Sequence, residues 1–339
     1  MEHEIHNHSS EVSEIKSTKK DYTIPASIVV SAIILAGAWT YNTGLKAGTI
    51  KQQGANVVEG FEAVRSALLE AVLPSRGVTL PIVWGDLGSK LVNAGAIDAT
   101  KFKEIYTQQG GFTKEYEALL SGDTKEKLVI TNENSGYILN LFWALGLAQK
   151  NQILETGEMV NPQYGGAQNF ASTGGWTAAK GDAMEHYSKH TFFTLTAEEQ
   201  AMVDRVSRNI YRPCCGNSTH FPDCNHGMAM LGLLELMASQ GVGEQDMYKT
   251  ALAVNSYWFP DTYLTIATYM KSKGVEWKDV DSKEMLSANY SSNSGYQKIA
   301  SQVTAPSNSQ GGNGGGCAVN AGQSAPTPAP RRQQGGCGL

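Results

Sequence analysis

The sequence predicts a mainly α-helical globular body that follows an N-terminal transmembrane helix and precedes a disordered C-terminal tail. Three observations support this fold class. Apolar residues recur at three- and four-residue steps through most of the body, strand-like alternation is scarce, and composition changes sharply near both ends. We therefore expect four regions, namely 1–21, 22–41, 50–303 and 304–339.

The first region, 1–21, is polar and contains His3, His6 and His8. Such a segment cannot bury enough apolar surface to fold, so we predict a disordered cytoplasmic leader. A histidine-spaced tail of this kind could also hold a metal ion weakly.

Residues 22–41 carry no charge and are long enough to cross the roughly 30 Å hydrocarbon core of a bilayer. Lysines are denser before this span than after it, which favours a cytoplasmic N-terminus and an extracytoplasmic body. The alternative is a cleavable signal peptide ending near Ala36-Gly37-Ala38. Either reading places the body outside the cytoplasm, at the cell membrane if the span is retained.

The first half of the body reads as short helices around one apolar helix. The stretch 81–88 is expected to be a turn that carries Trp84 into the core, and residues 151–180 a glycine-rich loop. Asn132–Lys150 has the helical spacing of a central core helix. The remaining predicted helices here are 57–72, 90–94, 100–108 and 114–121.

The second half opens on Thr196-Ala197-Glu198-Glu199, the capping-box pattern of a helix that we expect to run to Ile210. Asp223 can cap the next helix, predicted from about Cys224 to Ser239. Two more helices follow, at 244–258 and 262–273.

The tail from Ala305 onward is of low complexity and carries Cys317 and Cys337. A flexible segment of this length spans roughly 30 Å, so either thiol can reach the body. We expect these cysteines to serve as a metal donor or a thiol partner.

The charge composition does not indicate a nucleic-acid-binding protein. The formal net charge is -5, and no basic stripe interrupts the acidic balance. We therefore expect no nucleic-acid partner.

The best clue to function is the concentration of sulfur and imidazole between residues 186 and 230. His186 and His190 are four residues apart, a spacing that puts both rings on one face of a helix. The remaining candidate ligands are Cys214, Cys215, His220, Cys224 and His226.

Cys215, His220, Cys224 and His226 would form a Cys2His2 set on a loop. We expect one of the vicinal cysteines, Cys214 and Cys215, to point elsewhere. The spacing matches neither a zinc finger nor a Cys-x-x-Cys-His haem-attachment motif.

Copper and zinc are the transition metals that these ligand types favour, and haem is the less favoured cofactor. Met228 and Met230 follow the cluster, and thioether ligands would favour copper(I). Methionines in an apolar helix are, however, more often core residues than ligands.

Two other interpretations stay open. Cys214 or Cys215 could form a disulfide with Cys224, stabilising the fold by about 2–3 kcal/mol, in a structural surface module without catalysis. Cys224 could instead be a reactive thiol, because the first turn of a helix lowers a thiol pKa, with His220 or His226 as base. The sequence favours an extracytoplasmic transition-metal-binding protein over both, and it does not settle whether the chain is an enzyme.

Overall fold

The computed structural model describes residues 63–108 and 111–303. The predicted leader, the predicted span at 22–41 and the tail with Cys317 and Cys337 lie outside these residues and stay predictions. Across the described ranges, every helix is too short or too polar to cross a bilayer.

The described chain is mainly helical, as predicted, and contains one two-stranded sheet. In chain order its elements are α1 (63–72), β1 (Val78–Gly85), α2 (Leu87–Ala94), α3 (Ala99–Gln108), α4 (Lys114–Ser121), β2 (Thr124–Ile130), α5 (Ser135–Ala148), α6 (Gln152–Thr156), α7 (Ala171–Gly174), α8 (Ala197–Ser207), α9 (Asn225–Ser239), α10 (Glu244–Trp258), α11 (Pro260–Ser272), α12 (Ser282–Met285), α13 (Ala288–Ser291) and α14 (Asn293–Ala300).

The centre of the core is the contact between α5 and α9. Both helices are apolar on nearly every face, and almost all of their side chains are buried. They approach closely because Gly146 and Gly232 face one another. A Cβ on Gly146 would lie 2.1 Å from the carbonyl oxygen of Met228, and one on Gly232 would lie 2.6 Å from the Gly146 nitrogen. This contact fixes α9, whose N-terminus carries part of the candidate site.

The turn predicted at 81–88 is wrong, because residues up to Gly85 belong to strand β1. This strand pairs antiparallel with β2, from Val78 opposite Ile130 to Gly85 opposite Thr124. Leu80, Ile82 and Trp84 alternate inward along it. Trp84 does lie in the core, as predicted, and its indole N–H donates to the Leu119 carbonyl over 2.7 Å.

The capping box of α8 is present as predicted. The Thr196 hydroxyl accepts from the Glu199 N–H, and the Glu199 carboxylate accepts from the Thr196 N–H. The helix ends at Ser207, earlier than the predicted Ile210. The predicted cap of α9 is also corrected, because the Cys224 sulfur, not Asp223, accepts the Gly227 N–H at 3.4 Å.

Candidate metal centre

The loop between α8 and α9 folds back on itself and thereby brings distant sulfurs together. The Thr219 N–H donates to the Ile210 carbonyl over 2.8 Å, and the His220 N–H donates to the Ser207 carbonyl over 3.2 Å. These bonds close the loop so that its first cysteines lie beside Cys224 at the start of α9.

Three cysteine sulfurs share one location. The Cys214 sulfur lies 3.5 Å from that of Cys224 and 3.9 Å from that of Cys215, and no disulfide joins them. Metal–sulfur bonds of about 2.3 Å at tetrahedral angles separate two sulfurs by about 3.8 Å. The observed spacing therefore suits thiolates around a single ion.

The expectation that one vicinal cysteine points elsewhere is wrong. The Cys215 N–H donates to the Arg212 carbonyl over 3.3 Å, so the backbone turns between these residues. In an extended chain, neighbouring side chains alternate in direction, whereas this turn aims both thiols toward Cys224.

His226 adds an imidazole nitrogen to the group. One ligand atom each from Cys214, Cys224 and His226 lie within 4.8 Å of one another, and so do those of Cys215, Asp223 and Cys224. The His226 ring packs against Phe259 with centroids 4.4 Å apart. Its Nδ1 is buried and lacks a hydrogen-bond partner in the described structure, a state that costs free energy unless a ligand satisfies the atom.

Arg212 places a buried positive charge next to the cysteine sulfurs. Only 1% of this residue is exposed. Its Nε donates to the Cys224 sulfur over 3.1 Å, and its other nitrogens donate to the Asp223 carboxylate and to the carbonyls of Asn217 and Phe221. Gly227 leaves room for this guanidinium, since a Cβ there would lie 2.6 Å from it.

The charges around Cys224 favour its thiolate. Burial alone would raise the pKa of this thiol, but hydrogen bonds from Cys214 and Cys215, the Arg212 charge and His226 hold that pKa well below its usual value. For Cys215, hydrogen bonding with Cys214 lowers the pKa, whereas donation to Cys224 and burial outweigh it and raise the pKa overall. These contacts therefore favour the thiolate of Cys224, which is the form of a cysteine that binds a metal ion.

The same charges act on Arg212 and Asp223. Burial opposes the guanidinium charge, but the Cys224 and Cys215 sulfurs and the Asp223 carboxylate raise the pKa of Arg212. Burial also raises the pKa of Asp223, although Arg212 lowers it in part. Arg212 thus stays charged and offsets the negative charge of the thiolates.

His186 and His190 are not brought into the sulfur cluster. They do not share a helix, because His186 directly follows a short 3-10 helix, Ala183–Glu185. His186 Nδ1 lies 3.0 Å from His190 Nε2, and His186 Nε2 lies 2.8 Å from the Lys180 carbonyl. Burial and the neighbouring His186 lower the pKa of His190. The two rings are therefore hydrogen-bonded to each other, and His186 is also hydrogen-bonded to the backbone at Lys180.

His220 also lies apart from the sulfurs, although it belongs to the same loop. Its Nδ1 is 2.7 Å from the Glu158 carboxylate and its Nε2 is 2.8 Å from that of Asp204. Both ring nitrogens are therefore within hydrogen-bond distance of carboxylates and are engaged there. His220, Glu158 and Arg208 line a surface cleft of about 540 Å³.

Met228 and Met230 are buried residues of the hydrophobic core. Their role as soft ligands, like that of Cys317 and Cys337 as thiol partners, stays a prediction. Sequence reasoning missed Arg212 altogether, because a buried arginine is recognisable only from its folded partners.

Comparisons of this chain with protein-family models, with curated proteins and with solved structures found no match. The arrangement itself supports coordination of one ion by thiolates and imidazole, with Cys214 partly exposed at the edge of the site.

Proposed function

We propose that this protein binds a single transition-metal ion through Cys214, Cys215, Cys224 and His226. The observation that carries this proposal is the convergence of three cysteine sulfurs at 3.5 and 3.9 Å beside an imidazole. Copper(I) and zinc are the candidates, because thiolate and imidazole ligands suit both ions.

The charge balance supports this ligand set. Isolated thiolates packed together in a protein interior would repel one another, and Arg212 relieves that repulsion through its 3.1 Å contact with Cys224. Backbone donation from Gly227 to the same sulfur fixes its direction. Thiolates that these contacts hold in position can bind a metal cation with little rearrangement.

The proposal includes a membrane-anchored, extracytoplasmic location. This part depends entirely on the uncharged span at 22–41 and on the lysines before it. In that compartment, metal coordination would also protect neighbouring thiols from oxidation.

Cobalt(II) binding tests the proposed metal site. Protein purified without a histidine tag is titrated with cobalt, and sulfur-to-cobalt charge-transfer absorption is recorded. We expect one equivalent to bind with an intense thiolate band. Cys224→Ser should weaken binding by more than the roughly 10–100-fold that loss of an outer contact costs.

Two matched variants make this test specific. Cys317→Ser removes a tail thiol and His186→Gln removes an imidazole outside the cluster, and both should leave the cobalt spectrum unchanged. A spectrum that responds to Cys317→Ser as strongly as to Cys224→Ser would contradict the proposed site.

A second candidate function is thiol chemistry at Cys224, which its lowered pKa favours. Its burial opposes this role, since only 3% of the residue is exposed. The rate of alkylation against pH distinguishes the two: a reactive Cys224 would be modified rapidly below pH 7, whereas a metal ligand would be protected when the ion is present.

A further inference from the structure

We propose that the metal site is controlled by oxidation, with Cys214 as the thiol that reacts with an external organic disulfide and Cys224 as the thiol that resolves the product. The outcome is a Cys214–Cys224 disulfide that removes two ligands together. This inference rests on the proposed metal-binding function for its consequence, although the sulfur chemistry can be tested without a metal.

The first support is the spacing of the two sulfurs. Cys214 and Cys224 are 3.5 Å apart, so they must approach by about 1.5 Å to reach the disulfide bond length of about 2.05 Å. The Cys214 side of the pair lies in a loop. A movement of that loop could bring the two sulfurs to bonding distance.

The second support is the difference in exposure among the three thiols. Cys214 is partly exposed, whereas Cys215 and Cys224 are buried. Thiol–disulfide exchange needs access of the incoming disulfide to the attacking sulfur. Cys214 therefore meets the external reagent first, which reverses the role expected for Cys224 from the sequence alone.

The third support is the environment of Cys224. Its sulfur receives N–H bonds from Arg212 at 3.1 Å and from Gly227 at 3.4 Å. These contacts hold the Cys224 sulfur in place beside that of Cys214. Because Cys224 lies against Cys214 and away from solvent, the Cys214 sulfur of a mixed disulfide would be within its reach.

The other two pairings are less suitable. Cys214 and Cys215 are adjacent, and consecutive Cα atoms are about 3.8 Å apart, below the usual Cα separation of disulfide partners. Cys215 and Cys224 are both buried, so neither can be the entry thiol.

The exchange balances in two steps. The Cys214 sulfur attacks one sulfur of the external disulfide, its S–S bond breaks, and the released thiolate takes the Cys214 proton. The Cys224 thiolate then attacks the Cys214 sulfur of the mixed disulfide and expels the second thiolate. Two electrons pass from the two cysteines to the external disulfide, which is reduced to one thiol and one thiolate.

The experiment treats the full-length, metal-free chain with oxidised glutathione, in a Cys317→Ser, Cys337→Ser background that leaves only the cluster thiols. Remaining thiols are alkylated, and the peptides are mapped by mass spectrometry. We expect a Cys214–Cys224 linked peptide with Cys215 alkylated, and loss of cobalt binding that a reducing agent restores.

Single variants separate the two roles. Cys224→Ser should accumulate glutathione on Cys214, because no thiolate resolves the mixed disulfide, whereas Cys214→Ser should react at least tenfold more slowly. The matched control Cys215→Ser should still form the linked peptide. A disulfide that uses Cys215, or three alkylated cysteines after treatment, would overturn the inference.

The two hypotheses fail in different ways. If the linked peptide forms but the reduced protein binds no cobalt or copper(I), the metal function is wrong and the exchange stands as dithiol chemistry. If the reduced protein binds metal but no linked peptide forms, only the redox control is wrong.

Discussion

Arg212 determines how the cluster can hold negative charge in the interior. Its guanidinium is buried and contacts both the Cys224 sulfur and the Asp223 carboxylate. A buried ion pair is costly to break from one side, because the remaining charge loses its partner without regaining water. This residue therefore connects the stability of the fold with the state of the thiols.

Replacing Arg212 with methionine tests this connection. We expect the metal-free protein to lose about 3–5 kcal/mol of unfolding free energy, since Cys224 and Asp223 would keep buried charge without compensation. Chemical denaturation measures the loss. Arg205→Met removes an exposed ion pair with Glu244 and should cost at most about 1 kcal/mol. Equal losses for the two variants would contradict the role of Arg212.

The pKa of Cys224 gives a prediction about the thiolate itself. Because its folded pKa is depressed, the stability that ionised Cys224 contributes is present above the unfolded pKa of about 8.5 and is lost as the pH falls through the folded value. Thiolate absorbance in the ultraviolet should be visible at pH 7 in the wild-type protein. It should be absent in Cys224→Ser, and persistence there would assign it to another cysteine.

At the scale of elements, the close contact of α5 and α9 sets the position of the site. Helix α9 carries Cys224 as its cap and His226 in its first turn, and Gly232 holds the helix against Gly146. Protein interiors pack too densely to absorb an added methyl group without movement.

Gly232→Ala should therefore destabilise the protein by about 1–3 kcal/mol and weaken metal binding. The control is Gly136→Ala, since a Cβ at Gly136 meets nothing within 4 Å and alanine favours a helix by about 0.5–1 kcal/mol. Thermal unfolding and cobalt titration measure both effects. An unaffected cobalt affinity in a destabilised Gly232→Ala would show that the site does not depend on this packing.

Helix α9 also carries a buried acid, Glu235, whose carboxyl oxygens have no hydrogen-bond partner in the described structure. Burial raises its pKa well above the ordinary value, and nearby Asn151 offsets this only in part. Below the unfolded pKa of about 4.3 both states are neutral. As the pH rises from there, the unfolded chain ionises first, so folding loses up to about 1.4 kcal/mol per pH unit until the folded pKa is reached.

Glu235→Gln should consequently flatten the fall in stability between pH 5 and 8 and raise the melting temperature at pH 8. The exposed control Glu104→Gln should follow the wild-type curve. The free energy of unfolding is measured across this pH range. Equal dependence of that free energy on pH in the wild type and in Glu235→Gln would contradict a buried neutral acid.

Most of the helices could be predicted from the sequence, because the patterns that indicate them are local. The Thr196–Glu199 capping box and the apolar periodicity of α5 identified their helices. The pairing of β1 with β2 was not predicted, because the two strands are far apart in the chain and because Pro81 is a residue typical of turns. The shared direction of the Cys214 and Cys215 side chains could not be predicted either, because it depends on backbone contacts that form only in the folded loop.

At the scale of the whole molecule, the proposed membrane anchor at 22–41 can be tested against the alternative of a cleaved signal peptide. An arginine near the centre of such a helix costs about 2.5–3.5 kcal/mol of insertion free energy. Val30→Arg should therefore reduce recovery of the full chain in the membrane fraction after an alkaline wash. Thr43→Arg, outside the span, should not. Wild-type protein that is released by the wash would contradict an uncleaved anchor.

X-ray absorption at the edge of the bound metal identifies the ligand atoms themselves, using full-length protein loaded with one equivalent of zinc or copper(I). We expect sulfur neighbours at about 2.3 Å and an imidazole nitrogen at about 2.0–2.1 Å, with the sulfur signal reduced in Cys224→Ser. A first shell of nitrogen and oxygen alone, unchanged by Cys224→Ser, would contradict it.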